Sequence, residues 1–112
     1  VVFEAKDPGK AVDEAIVHKG SRTMLVGNNA PHEVLELLSN DLHVGPDAPP
    51  AFVVHSTGDK SVPAANSDAY VASLQKHNIP FVYLRAPIGG HGFGITDDWS
   101  GAAMAWLRTQ KF

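Results

Sequence analysis

The chain contains no cysteine, which excludes disulfides, thiolate metal sites and cysteine nucleophiles. It has no run of Lys or Arg, and its formal net charge is −3. Nothing in that balance favours a nucleic-acid partner. No apolar stretch approaches the ~20 residues that cross a bilayer, so no membrane partner is expected either. Internal repeats and low-complexity tracts are also missing. What remains is a 112-residue chain, 44% hydrophobic and 19% charged, a composition ordinary for one globular domain or a piece of one.

An initiator methionine is absent as well. The chain opens on Val1-Val2-Phe3, which reads as a strand already under way. The expectation is a gene product that begins further upstream; a cleaved leader is the alternative.

Residues 4–30 are broken by Pro8, Gly9, Gly20, Gly27, Asn28 and Asn29. A short helix over 10–18 would put Val12, Ala15 and Ile16 on one face. A firmer helix is expected over about Pro31–Ser39. Pro31 suits its first turn, Glu33 complements the dipole, and Val34, Leu37 and Leu38 form an apolar stripe. Pro46, Pro49 and Pro50 mark Asn40–Pro50 as a loop.

Two short runs, Ala51-Phe52-Val53-Val54-His55 and Phe81-Val82-Tyr83-Leu84, are apolar, rich in β-branched and aromatic residues, and bounded by turn formers. Such runs are strands buried on both faces, as in a parallel sheet. A helix from about Ala64 to His77 lies between them. Asn78, able to turn left-handed, and Pro80 stop it. A last helix is expected over about Asp97–Thr109, capped by Thr96, with Trp99, Ala102, Ala103 and Trp106 facing a sheet. The order is α/β, a mostly parallel sheet flanked by helices. Two strands that are apolar on both faces need neighbours, so the sheet calls for strands from an upstream half, from another chain, or from residues 1–30.

The loops after the two strands are where open α/β sheets carry their sites. Asp59 lies in the first, His91 in the second among Gly89, Gly90, Gly92 and Gly94. Alone, Asp59 is a turn former or helix cap, and His91 is equally a surface histidine or a general base. Together they would meet at one sheet edge, where a carboxylate fixes the imidazole tautomer and stabilises the imidazolium. Asp59 before His91 obeys the chain order Ser, acid, His of α/β-hydrolases.

The stretch His55-Ser56-Thr57-Gly58-Asp59-Lys60-Ser61-Val62-Pro63 resembles the acid loop of α/β-hydrolase esterases. Gly89-Gly90-His91-Gly92-Phe93-Gly94 resembles their histidine loop, and Trp106-Leu107-Arg108 their final helix. The likeness covers most of residues 18–112 and is nearest to the acetyl-esterase and xylan-esterase branch related to dienelactone hydrolases. It implies that residues 1–112 are the C-terminal portion of one α/β-hydrolase domain. It also implies a serine esterase acting on small acyl esters, acetyl groups on carbohydrate among them, with Asp59 and His91 as catalytic acid and base.

The G-x-S-x-G elbow of that family is absent. Ser21, Ser39, Ser56, Ser61, Ser67, Ser73 and Ser100 all lack its setting, and nothing corresponds to the family's oxyanion glycines. The second possibility is therefore a non-catalytic fragment or assembly module that pairs through an open sheet edge. No cofactor or metal is expected. His43, His55, Asp47 and Asp59 match no common zinc spacing, and the glycine-rich loop fails the G-x-G-x-x-G fingerprint. His18, His32, His55 and His77 read as structural or solvated, and Phe93, Tyr83, Trp99 and Trp106 as core or pocket wall.

Overall fold

The computed structural model describes residues 19–111. The strand expected at Val1–Phe3 and the helix expected over 10–18 lie outside them. The element order is α1 (Lys19–Val26), α2 (His32–Leu37), a 3-10 turn (Asn40–His43), β1 (Ala51–Ser56), α3 (Ala65–Lys76), β2 (Phe81–Ala86) and α4 (Ser100–Thr109).

β1 and β2 pair in parallel, from Ala51 opposite Phe81 to Ser56 opposite Ala86. Both strands run past the apolar stretches that mark them in the sequence. The added residues are Ser56, Arg85 and Ala86, two of them polar, and the ladder continues because the partner backbone is there. Thr57 N–H still donates to the Ala86 carbonyl at 3.0 Å.

α3 joins the strands and covers one face of the sheet. Val44, Leu74 and Ile79 form the buried centre, with Ala51, Val53, Tyr70 and Phe81 packed against it. Burying each side chain of this size contributes about 1.5–3 kcal/mol. The helix stops as its sequence predicts. Asn78 has φ +55, its N–H bonds Gln75 O, and Ile79 N–H reaches back to Leu74 O at 2.9 Å. This left-handed cap satisfies the last carbonyls and seats Ile79 on Leu74. On the same face Tyr83, fully buried, donates its hydroxyl to Asp68 Oδ1 at 2.7 Å. Burial foremost, with that carboxylate beside it, pushes the phenol far above its ordinary value. Arg85 Nε lies 3.1 Å from the same oxygen. α4 meets the opposite face through Trp106, whose ring centroid is 5.8 Å from that of Phe52.

Four expectations need correction. The strands are not buried on both faces: only His55, Ser56 and Tyr83 among their residues are buried, and the rest are intermediate. Among the described residues the sheet has two strands, too few to be enclosed. The stripe Val34, Leu37 and Leu38 is exposed, because no described element lies over α2. That helix is also shorter than expected. Pro31 is extended (ψ 149°) and precedes it, while Leu38 leaves helical geometry after it. Finally, α4 begins at Ser100. The Thr96 hydroxyl bonds the Asp98 carboxylate, and Thr96 O accepts from Trp99 and Ser100 N–H. Asp97 and Asp98 thus belong to a turn before the helix. Ala102 faces solvent, and the half-buried positions are Trp99, Ala103 and Trp106.

Candidate active site

The parallel register brings two loops together, because Ser56 and Ala86, from which they depart, are paired. The first loop folds around Asp59. Its Oδ1 accepts the backbone N–H groups of Ser61 and Val62, each at 2.9 Å. Its Oδ2 accepts Nδ1–H of His91, also at 2.9 Å. The Asp59 side chain is only 8% exposed. The Val62 N–H bond is the largest influence on its acidity. With the His91 and Ser61 bonds it outweighs burial and holds the carboxyl at about 2, below its ordinary 3.8. Hydrogen bonds to the charged form act in this direction.

His55 braces this loop from below. Its ring is buried, with Nε2 at 2.9 Å from the Val62 carbonyl and Nδ1 at 2.6 Å from the Ser67 hydroxyl on α3. A carbonyl only accepts, so in the neutral ring Nε2 carries the proton and Ser67 donates to Nδ1. Val62 is thus held at both ends, its N–H by Asp59 and its C=O by His55. Nε2 of His55 also lies 3.7 Å from Asp59 Oδ2.

The second loop carries His91, whose side chain is 53% exposed. Gly89 has φ +138°, and a Cβ there would fall 2.8 Å from the Phe93 Cβ. Only glycine meets both conditions without strain. Phe93 packs edge-on against Trp99, centroids 6.3 Å apart at 87°, and Trp99 Nε1–H donates to Gly94 O at 3.0 Å.

The two loops also meet directly. Ser56, fully buried at the end of β1, donates its hydroxyl to Gly89 O and accepts Gly58 N–H at 3.2 Å. A Cβ on Gly58 would fall 2.5 Å from that same Gly89 oxygen.

Both residues singled out in the sequence, Asp59 and His91, therefore lie in contact. Among the described residues no three of His, Asp and Glu converge as metal ligands. The sequence reading passed over Ser56, Ser67 and the part played by His55. The sole sequence signal for His55 and Ser56 is their position, four and three residues before the acid at a strand end.

The sequence profile of the prolyl oligopeptidase family matches residues 13–110. The chain belongs to the prolyl oligopeptidase family. It is thereby a member of the α/β-hydrolase superfamily, as its loops and element order predict. It is similar to endo-1,4-β-xylanase B of Butyrivibrio fibrisolvens, 30% identical over 99 residues, which cover 84% of this chain and 16% of that protein. A shorter stretch of 43 residues is 42% identical to dipeptidyl peptidase family member 6 of Caenorhabditis elegans and covers 38% of this chain and 6% of that one. Among solved structures it resembles the acetyl ester-xyloside bifunctional hydrolase of Caldicellulosiruptor lactoaceticus, with TM-score 0.78 and 33% identity, over 82% of this chain and 36% of that one. The chain thus spans about a sixth of the xylanase and about a third of the solved hydrolase.

Proposed function

We propose that this chain supplies the acid and base of a serine ester hydrolase, His91 as proton carrier and Asp59 as its orienting carboxylate. The observation that carries this reading is the 2.9 Å bond from His91 Nδ1 to Asp59 Oδ2, made by a carboxylate that stays ionised above about pH 2. With Nδ1 engaged, proton transfer falls to Nε2. A serine hydroxyl would lose its proton to Nε2 as its oxygen attacks the ester carbonyl. The imidazolium, stabilised by Asp59, would then protonate the departing alcohol, and water would cleave the acyl-enzyme by the same route.

The nucleophile is assigned to residues outside this sequence, since none of its seven serines stands in a G-x-S-x-G elbow. In this reading residues 1–112 form the C-terminal portion of one α/β-hydrolase domain, completed by an upstream half or another chain that also extends the sheet. Small acyl esters are the proposed substrates, acetyl groups on carbohydrate in particular. The acetyl ester-xyloside hydrolase and the xylanase among its relatives support that choice.

The test is hydrolysis of p-nitrophenyl acetate and acetylated xylan by the complete protein, with fluorophosphonate labelling mapped to a residue. The expected result is labelling outside this chain, and loss of about 10⁴-fold or more in kcat with His91→Ala. Labelling of any of the seven serines would move the nucleophile into this chain, and full activity in His91→Ala would remove the histidine from the mechanism. The 112-residue chain alone is expected to be inactive as an assembly piece.

A further inference from the structure

We infer that Ser56 is a positioning residue for the Asp59–His91 pair: its buried hydroxyl clasps the acid loop to the histidine loop. The inference deepens the functional reading above and rests on it. Three observations carry it. The hydroxyl is wholly enclosed and donates across the gap between the loops to Gly89 O, two residues before His91. The same oxygen accepts Gly58 N–H, one residue before Asp59. The backbone at Gly58 approaches Gly89 so closely that no side chain fits between them. One hydroxyl thus joins the chain beside the acid to the chain beside the base.

With the hydroxyl gone, Gly89 O and Gly58 N–H lose the group that joins them. Both glycines are exposed, so water replaces the hydroxyl at each, and water satisfies the groups without holding the loops together. The available movement is separation of the two loops, which lengthens the bond from Asp59 to His91. A weaker bond holds the ring less firmly in the orientation and tautomer that leave Nε2 for proton transfer. Misplacement of a catalytic group by a fraction of an ångström to about 1 Å lowers turnover by up to ~10²-fold.

The experiment follows the downfield Nδ1–H signal of His91 by NMR in the whole protein, in the parent and in Ser56→Ala, together with kcat and KM for ester hydrolysis. In Ser56→Ala that signal is expected to be lost, and kcat to fall ~10- to 100-fold with KM little changed. Leu74→Ala serves as the control, since it destabilises the core on the α3 side and is expected to leave the signal in place. Ser56→Thr, which retains the hydroxyl, is expected to restore the signal. Should Ser56→Ala fail to fold, Gly58→Ala separates the same loops while keeping the hydroxyl, and the same loss is expected. A retained Nδ1–H signal in a folded Ser56→Ala or Gly58→Ala protein overturns the clasp. Because the signal is read without substrate, the two readings separate. Loss of the signal in a Ser56→Ala protein whose parent hydrolyses no ester would leave the clasp and remove the esterase. Full loss of activity in His91→Ala beside a retained signal in Ser56→Ala would do the reverse.

Discussion

The acid loop and the histidine loop are built in opposite ways. Asp59 is nearly enclosed, receives three N–H groups and rests on a loop that His55 and Ser67 brace from inside. His91 is half exposed and sits on a glycine-rich segment fastened at a few points: Gly89 by Ser56, Gly94 by Trp99, and the ring of Phe93 against Trp99. The difference suits the roles proposed for the two groups. A carboxylate that only orients and stabilises gains from being fixed and ionised. An imidazole that exchanges protons, as proposed for His91, gains from being open to its reaction partner.

The largest predicted effect tests the fixed side. In the complete protein Asp59→Asn keeps an oxygen for the Ser61 and Val62 N–H groups, yet its amide can turn N–H toward His91 and impose the wrong tautomer. A fall of about 10⁴-fold in kcat is expected, read by ester hydrolysis, with the fold retained by circular dichroism. A fall under tenfold would mean that the carboxylate does not orient the ring.

A second, smaller effect separates two adjacent glycines on the exposed side. Gly89→Ala places a side chain against Phe93 at a left-handed backbone position, and a loss of about 1–3 kcal/mol is expected in urea unfolding. At Gly90 an added Cβ meets nothing within 4 Å, so Gly90→Ala is expected to stay within about 0.5 kcal/mol of the parent. Equal losses at both would show that the loop is not pinned at Gly89.

The smallest effect is in acid. The carboxyl of Asp59 is depressed in the folded state to about 2 from 3.8. Its contribution to stability is therefore complete above pH ~4 and disappears as pH falls through ~2. The Ser61 and Val62 amide resonances are expected to titrate near pH 2. Titration of those amides near pH 4 would show the carboxylate to be unbraced.

The strand–helix–strand unit was legible because its signals are local: two unbroken apolar runs, and Asn78 with Pro80 after the intervening helix. Asp59 and His91 were legible because each follows one of those runs. The strand ends were not, since Ser56 and Arg85 are polar and belong to β1 and β2 only through their partners in register. α1 was hidden in a stretch punctuated by glycine and asparagine, where only Gly27, with φ +77 at its end, marks a boundary. The start of α4 was misplaced because Thr96 bonds Asp98 instead of opening a helix, and Trp99 is drawn toward the histidine loop. Ser56 and Ser67 escaped for a related reason. A serine hydroxyl looks alike in every sequence, and its partner here lies across the fold.

The register between β1 and β2 fixes where the two loops of the pair begin. Both loops start at one paired rung, so a single strand spacing of about 4.8 Å sets how far apart acid and base begin. The crossover braces this arrangement through Ser67 but does not set that distance. Slipping one strand by a residue would put the acid and the base out of step.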